Sequence, residues 1–256
     1  MKKLISRIIT KTGYSVIRNA TLARLSADAA RGRDLDFLAA MPADHAADLL
    51  RLLPESQSQL RQDLFVLSEV GLKREGFFVE FGAADGKRLS NTWLLEKYFG
   101  WKGVLAEPAR KFQEAIRLER GCALDTRCVW RSSGQRLNFN ETDIGELSTI
   151  SDYSDVDIHA EARKQGRTYE VETISLNDLL TSHGSPSEVD YLSIDTEGSE
   201  FDILNAVDFK RFRFKVITCE HAFRPQRQKI HALLISAGYV RKHEKLSEFD
   251  DWYVLS

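Results

Sequence analysis

Acidic residues stand at or just beyond several short, dense apolar runs, where a chain leaving a buried strand presents its side chains to a crevice. Glu80 lies within Phe77-Phe78-Val79-Glu80-Phe81, and Glu107 follows Val104-Leu105-Ala106. Asp195 and Glu197 follow Tyr191-Leu192-Ser193-Ile194, and Glu220-His221 follows Val216-Ile217-Thr218-Cys219. Open α/β sheets bind ligands outside the carboxyl ends of their strands, so acids placed there are candidates for binding and proton transfer. The first run continues into Gly82-Ala83-Ala84-Asp85-Gly86, a turn whose glycines let backbone approach a ligand closely. The dinucleotide fingerprint GxGxxG is absent, because the spacing is acid-x-Gly-x-x-x-Gly. An acid on the strand itself suits a ligand with a positive group, such as an amino acid's ammonium, better than a pyrophosphate. Glu107 comes 21 residues after Gly86, where an acid hydrogen-bonds the ribose hydroxyls of an adenosine cofactor. A nucleoside carrying an amino acid is S-adenosylmethionine.

The later runs point to the acceptor side. In Asp195-Thr196-Glu197-Gly198-Ser199-Glu200, the start of a helix accounts for Ser199 and Glu200 but not for Asp195. Asp195 and Glu220-His221 are expected at neighbouring strand ends, and two readings stay open for them. His221 could take the proton of an acceptor hydroxyl, since an unperturbed pKa of about 6.5 suits that work. Alternatively Asp195, Glu220 and His221 could hold one divalent cation that lowers the hydroxyl's pKa. In either case Asp195 and His221 act at the acceptor, with Glu197 and Glu220 orienting them or the metal. The other histidines (45, 159, 183, 231, 243) lack an acidic strand-end setting and read as structural or exposed.

Positioning these residues requires strands alternating with helices. The periodicity predicts strands at 77–81, 103–106, 128–130, 136–140, 169–174, 189–194 and 214–219, with helices over 91–99, 109–119, 176–180, 200–207 and 225–237. Cys128–Trp130 and Arg136–Asn140 are expected around a Ser-Ser-Gly turn. Such alternation in units of 20–30 residues implies a doubly wound, mostly parallel sheet. The closing pair, Tyr239–Lys242 and Trp252–Leu255, has no helical crossover between its members, so the last strand is expected to run antiparallel. Residues 141–168 are polar and expected to form a loop with a helical turn near Ala160; with Tyr153 and Tyr169 it is long enough to line an acceptor pocket. Residues 1–57 form an N-terminal helical segment apart from a main domain of 58–256. In it, a second helix is expected over 43–53 after a polar stretch at Ser26–Arg33. A third, amphipathic helix starts at an N-capping Ser58 and carries Leu60, Leu64 and Leu67 to Val70.

Composition narrows the class. The chain has 256 residues, 43% hydrophobic, with 36 basic and 38 acidic residues, so no global basic field recruits nucleic acid. The mean conceals a gradient. Residues 1–25 carry six Lys and Arg and no acid, with Leu4, Ile5, Ile8 and Ile9 at helical spacing, a pattern that suits loose contact with an anionic membrane face. Three cysteines without a CxxC pair argue against a disulfide framework, and with no span-length apolar run they suggest a cytoplasmic protein.

The segments Phe78–Gly86, Leu105–Pro108, Ser193–Glu200 and Ile217–His221 resemble the FkbM-type methyltransferases, from about Ser58 to Val254. The resemblance implies a class I, Rossmann-like, seven-stranded S-adenosylmethionine-dependent fold and O-methylation, often of a sugar or polyketide hydroxyl, hence a small-molecule or glycan acceptor and polysaccharide modification. It also implies that Glu80, Gly82 and Gly86 contact the methionine part and Glu107 the ribose. Ala84, Asp85, Asn91 and Pro108 beside these positions complete the expected cofactor set, with Gln59, Gln62 and Asp63 covering the cofactor. Ala84 replaces the middle glycine of many class I enzymes and stiffens the loop. Two other classes compete, an NAD-type oxidoreductase and a non-catalytic membrane-associated domain that keeps the fold.

Overall fold

The computed structural model describes residues 19–142, 149–150 and 166–256. The chain divides into two compact units, Met1–Ala40 and Met41–Ser256. The first contains helix α1 (Asn19–Ala40), which runs straight through the Ser26–Arg33 stretch expected to interrupt it. Three alanines and two arginines outweigh the other residues there in helix propensity. The basic Leu4–Ile9 segment, the helical turn near Ala160 and Tyr153 lie outside the described residues. The second unit takes in α2 (Ala46–Leu52), placed in the sequence reading with the N-terminal segment; its Leu49 is fully buried, and His45 Nδ1 meets Ser68 Oγ at 3.3 Å.

Helix α3 (Gln62–Glu69) departs from expectation twice. It starts four residues after Ser58, because Arg61 adopts a left-handed conformation (φ 67°) that ends the preceding turn. Ser58 still serves the helix, its Oγ accepting from the Asp63 N–H at 3.2 Å. Nor is the helix amphipathic in its setting: every residue from Gln62 to Ser68 is buried.

The remaining elements alternate as the periodicity requires. They are β1 (Phe77–Phe81), α4 (Trp93–Phe99), β2 (Lys102–Ala106), α5 (Arg110–Glu119), β3 (Ala123–Asp125), β4 (Cys128–Trp130), β5 (Arg136–Glu141), β6 (Thr149–Ile150), β7 (Arg167–Ser175), α6 (Leu176–Ser182), β8 (Glu188–Ile194), α7 (Glu200–Asn205), β9 (Arg213–Glu220), α8 (Arg227–Ser236), β10 (Tyr239–Lys242) and β11 (Asp250–Leu255). Seven strands form one sheet in the order β10-β11-β9-β8-β1-β2-β3, parallel except for β11, which runs antiparallel to both neighbours. This is the doubly wound, mostly parallel sheet the alternation implied. Its central strands are buried along nearly their whole length, as apolar runs covered on both faces should be. Among the described residues no helix is long and apolar enough to cross a membrane.

A second sheet, β4-β7-β5-β6, flanks the first. Here β4 and β5 do not pair with each other across the Ser-Ser-Gly turn, because β7 lies between them, parallel to β4 and antiparallel to β5. Thr173 locks the crossover, its carbonyl accepting from Gly134 N–H and its own N–H donating to Gln135. A small apolar core of Ala109, Cys128, Trp130, Phe139, Ile150 and Val171 supports this sheet.

Candidate active site

Strand register sets the site. Phe81 lies opposite Ala106 and Ile194, Ile194 opposite Cys219, and Glu220 opposite Asp250. The residues that follow or end these strands, Gly82, Glu107, Asp195 and Glu220, therefore emerge along one edge of the sheet. A cavity of about 720 Å³ opens there. Gly82, Ala84, Asn91, Glu107, Pro108, Gln59 and Gln62 line it, with Asp195, Glu197 and Glu220.

Two backbone features shape the β1–β2 side of the cavity. Gly82 has φ +80°, and a Cβ at that position would stand 2.0 Å from the carbonyl oxygen of Asp195, so only glycine allows the two strand ends to meet. Ala84 holds φ 46°, a left-handed conformation unfavourable for an L side chain, where the sequence reading anticipated a stiffer loop. Glu107 is buried, with its Oε1 accepting the Ala109 N–H at 2.8 Å and a further hydrogen bond from the Ala84 N–H. Burial, opposed by those bonds and reinforced by Glu141 and Glu80, pushes its pKa up to about 8. Asn91 donates to Ser193 Oγ at 3.0 Å, while its buried Oδ1 has no hydrogen-bond partner among the described residues.

Several expected cofactor ligands sit elsewhere. Glu80 does not line the cavity: its oxygens accept from Ser90 Oγ (2.9 Å), the Asn91 N–H (2.6 Å) and Thr92 Oγ1 (2.6 Å), with Arg120 at 3.8 Å. Donors from its own loop and helix take the place expected of a ligand's ammonium. Asp85 is used in the same way, accepting from the N–H groups of Lys87 and Arg88 to turn the loop. Gly86 (φ +85°) packs against Ile116 and Arg120. Asp63 is fully buried and bonded to Ser56 Oγ at 2.7 Å, behind the cavity wall. Gln62 donates to Asp250 Oδ2 at 2.8 Å and accepts from the Leu60 N–H, which fixes the mouth of the cavity.

On the other side, one carboxylate oxygen from each of Asp195, Glu197 and Glu220 lies within 4.8 Å of the others. Desolvation and the neighbouring carboxylates hold Asp195 and Glu220 well above the usual carboxylate range. Glu197 is placed by a left-handed backbone (φ 60°). Glu200 keeps the helix-start role anticipated for it, its Oε1 accepting from the N–H groups of Thr196 and Gly198.

His221 requires a correction. It does not line the cavity and is not one of the clustered acids' neighbours in any metal-ligating set among the described residues. Its Nδ1 accepts the Phe223 N–H at 3.0 Å, and Nε2 points to Asp251 Oδ1, 3.8 Å away on β11. His221 thus stands apart from the cavity lining and from the acid cluster, where both readings of it had placed it. Glu197 occupies the third position instead. Nothing among the described residues beyond the three carboxylates supports a resident divalent cation, and the buried Arg224 guanidinium already serves two of them, 3.0 Å from Glu197 and 3.9 Å from Glu220.

Three features escaped the sequence reading. Arg224 follows Glu220 by four residues, a spacing visible in the sequence but meaningful only once Glu197 is brought beside it. Asp250, with its pKa pushed up to about 7 by burial, joins the lining solely through the antiparallel register of β11. The apolar wall is Phe112, Cys128, Val129, Phe139 and Ile150, much of it from the second sheet. Burial lifts the Cys128 thiol to about 12, so it packs there as an inert side chain.

Residues 80–253 match the methyltransferase FkbM domain. The chain belongs to the FkbM methyltransferase family, and its sheet is the class I, Rossmann-like methyltransferase sheet. Membership in that family implies S-adenosylmethionine as cofactor and sets the NAD-type oxidoreductase aside. No curated protein matches the chain. Among solved structures it is similar to a precorrin-6y C5,15-methyltransferase from Geobacter metallireducens, at 13% identity and a TM-score of 0.40, over 75% of this chain and 85% of that one. An uncharacterized protein from Burkholderia thailandensis matches at 11% identity and a TM-score of 0.28, over 78% of this chain and 59% of that one.

Proposed function

We propose that the protein is an S-adenosylmethionine-dependent O-methyltransferase that acts on a hydroxyl group of a sugar-like acceptor. The supporting observation is that one cavity joins Glu107 at the end of β2 to the acid cluster at the ends of β8 and β9. The residues fit the cofactor: Glu107 for the ribose, the close backbone at Gly82 and Ala84, and Asn91 Oδ1 as an acceptor awaiting a donor. When bound, the cofactor supplies a methyl group on a positively charged sulfur, and the protein's share is alignment and proton removal. Asp195 takes the hydroxyl proton as the acceptor oxygen is methylated. Its raised pKa makes it a stronger base than an ordinary carboxylate. Glu220 shares the proton of the pair, and Arg224 offsets the charge that remains. The sugar acceptor comes from the family resemblance and from the polar character of this half of the cavity.

Calorimetric titration of the full chain tests the reading. S-adenosylhomocysteine should bind in the micromolar range and NAD should not. A folded protein that binds no S-adenosylhomocysteine would sink the proposal and favour the non-catalytic alternative.

A further inference from the structure

The turn that follows β9 is strained, and the strain is aimed at the cavity. Ala222 and Phe223 both hold left-handed backbone, φ 42° and 57°, which costs about 1–2 kcal/mol for each L residue. The surroundings over-determine the turn. The His221 and Ala222 N–H groups both donate to the Phe249 carbonyl, at 2.9 and 3.0 Å, and the Arg224 N–H donates to the His221 carbonyl at 2.7 Å. His221 Nδ1 takes the Phe223 N–H, and the two rings meet edge to face at 5.4 Å. These bonds do not bury Phe223. It lines the cavity while 73% exposed, with Leu89, another left-handed residue, also on the lining. An apolar ring held out of the core at the cost of backbone strain forgoes its transfer energy unless something covers it.

Charge narrows what covers it. The lining carries Glu107, Asp195, Glu197, Glu220 and Asp250 against Arg224 alone among the described residues. Even where these carboxyls hold protons, the lining offers an entering anion no cation but Arg224 among the described residues, and Glu197 already meets that guanidinium at 3.0 Å. We infer that Phe223 is the specificity-determining residue of the acceptor site, taking the apolar face of an uncharged ring whose hydroxyl is turned to Asp195. The inference rests on the methyltransferase reading, since it needs an acceptor beside the acid cluster.

Saturation-transfer NMR on the full chain loaded with S-adenosylhomocysteine provides the test, with methyl pyranosides, the matching uronic acids and a linear hexitol as probes. The expected result is saturation of the C–H protons on one face of the neutral pyranosides, with the uronic acids and hexitol bound more weakly. Phe223→Ala should weaken pyranoside binding by about tenfold and Phe223→Trp should restore it, while S-adenosylhomocysteine affinity stays unchanged. Equal binding by wild type and Phe223→Ala, equal binding of uronic acids, or no pyranoside binding to the loaded protein would each overturn the inference. Those outcomes leave the methyltransferase reading standing, whereas a failure to load S-adenosylhomocysteine overturns both.

Discussion

The carboxyl end of β1 and the ends of β8 and β9 both bury acids, and they use them in opposite ways. Glu80 is surrounded by three hydrogen-bond donors and the buried Arg120, all from the loop and helices around it. Asp195 and Glu220 face each other, and their proximity and burial raise both pKa values. Burial alone therefore does not mark a reactive acid. The distinction lies in whether the fold supplies the partners, as at Glu80, or leaves the acids to one another, the arrangement common where carboxyls are reactive.

The sharpest way to break this contrast is to neutralise one acid of each kind. Asp195→Asn should lower turnover by about 10²–10⁴-fold, with S-adenosylhomocysteine affinity unchanged, as steady-state kinetics and calorimetry would show. Glu80→Gln should instead cost about 3 kcal/mol of stability in denaturant titration, because Ser90, Asn91 and Thr92 lose a buried charged acceptor and Arg120 keeps only Glu96 as its charged partner. If Glu80→Gln kept full stability and lost turnover, the assignment of the two acids would be reversed.

Glu107 lies between these extremes, hydrogen-bonded by the protein yet open to the cavity. Glu107→Gln should weaken cofactor binding by about 10–100-fold, the worth of hydrogen bonds to a charged group. Its effect on stability should depend on pH. A carboxyl whose folded-state pKa is raised binds its proton more tightly folded than unfolded. Its cost therefore appears as pH rises past the unfolded value of 4.5 and is complete above about 8. The variant should match the wild-type melting temperature more closely at pH 5 and exceed it at pH 8.5. A constant difference across that range would remove Glu107 from the raised class.

The smallest effect is expected at Ala84. Ala84→Gly removes a left-handed side chain but adds freedom to the unfolded chain, so the net gain should be about 0.5 kcal/mol, read as a slight rise in melting temperature. A loss of stability there would show that the methyl group packs usefully against the loop.

Much of this architecture was legible from periodicity. The apolar runs at Phe77–Phe81 and Val189–Ile194 became central strands, and the separation of Tyr239–Lys242 from Trp252–Leu255 foretold the antiparallel β11. What escaped depended on tertiary pairing. The three residues of β3 carry too short an apolar pattern to read as a strand. Inserting β7 between β4 and β5 separates two strands that their turn seemed to join, a pairing choice made by distant residues. The site follows the same rule. Chain position put Asp195, Glu197, Glu220 and Glu107 at the crevice, because strand polarity alone brings strand-end residues there. Orientation was invisible: the same logic placed Glu80 and His221 in the cavity, whereas local donors claim the first and the ring of the second turns to the Phe223 N–H, off the lining.

The contact between Gly82 and the Asp195 carbonyl has a consequence for how such an enzyme can diversify. That spacing is fixed by main chain against main chain, so no side-chain replacement at position 82 can be absorbed without driving the two strand ends apart. The distance between the loop after β1 and the loop after β8 is thus inherited with the backbone. The turn at 221–224 carries its cavity-facing groups on side chains, which single substitutions can exchange. Descendants of this chain could change what they methylate far more readily than how they methylate it.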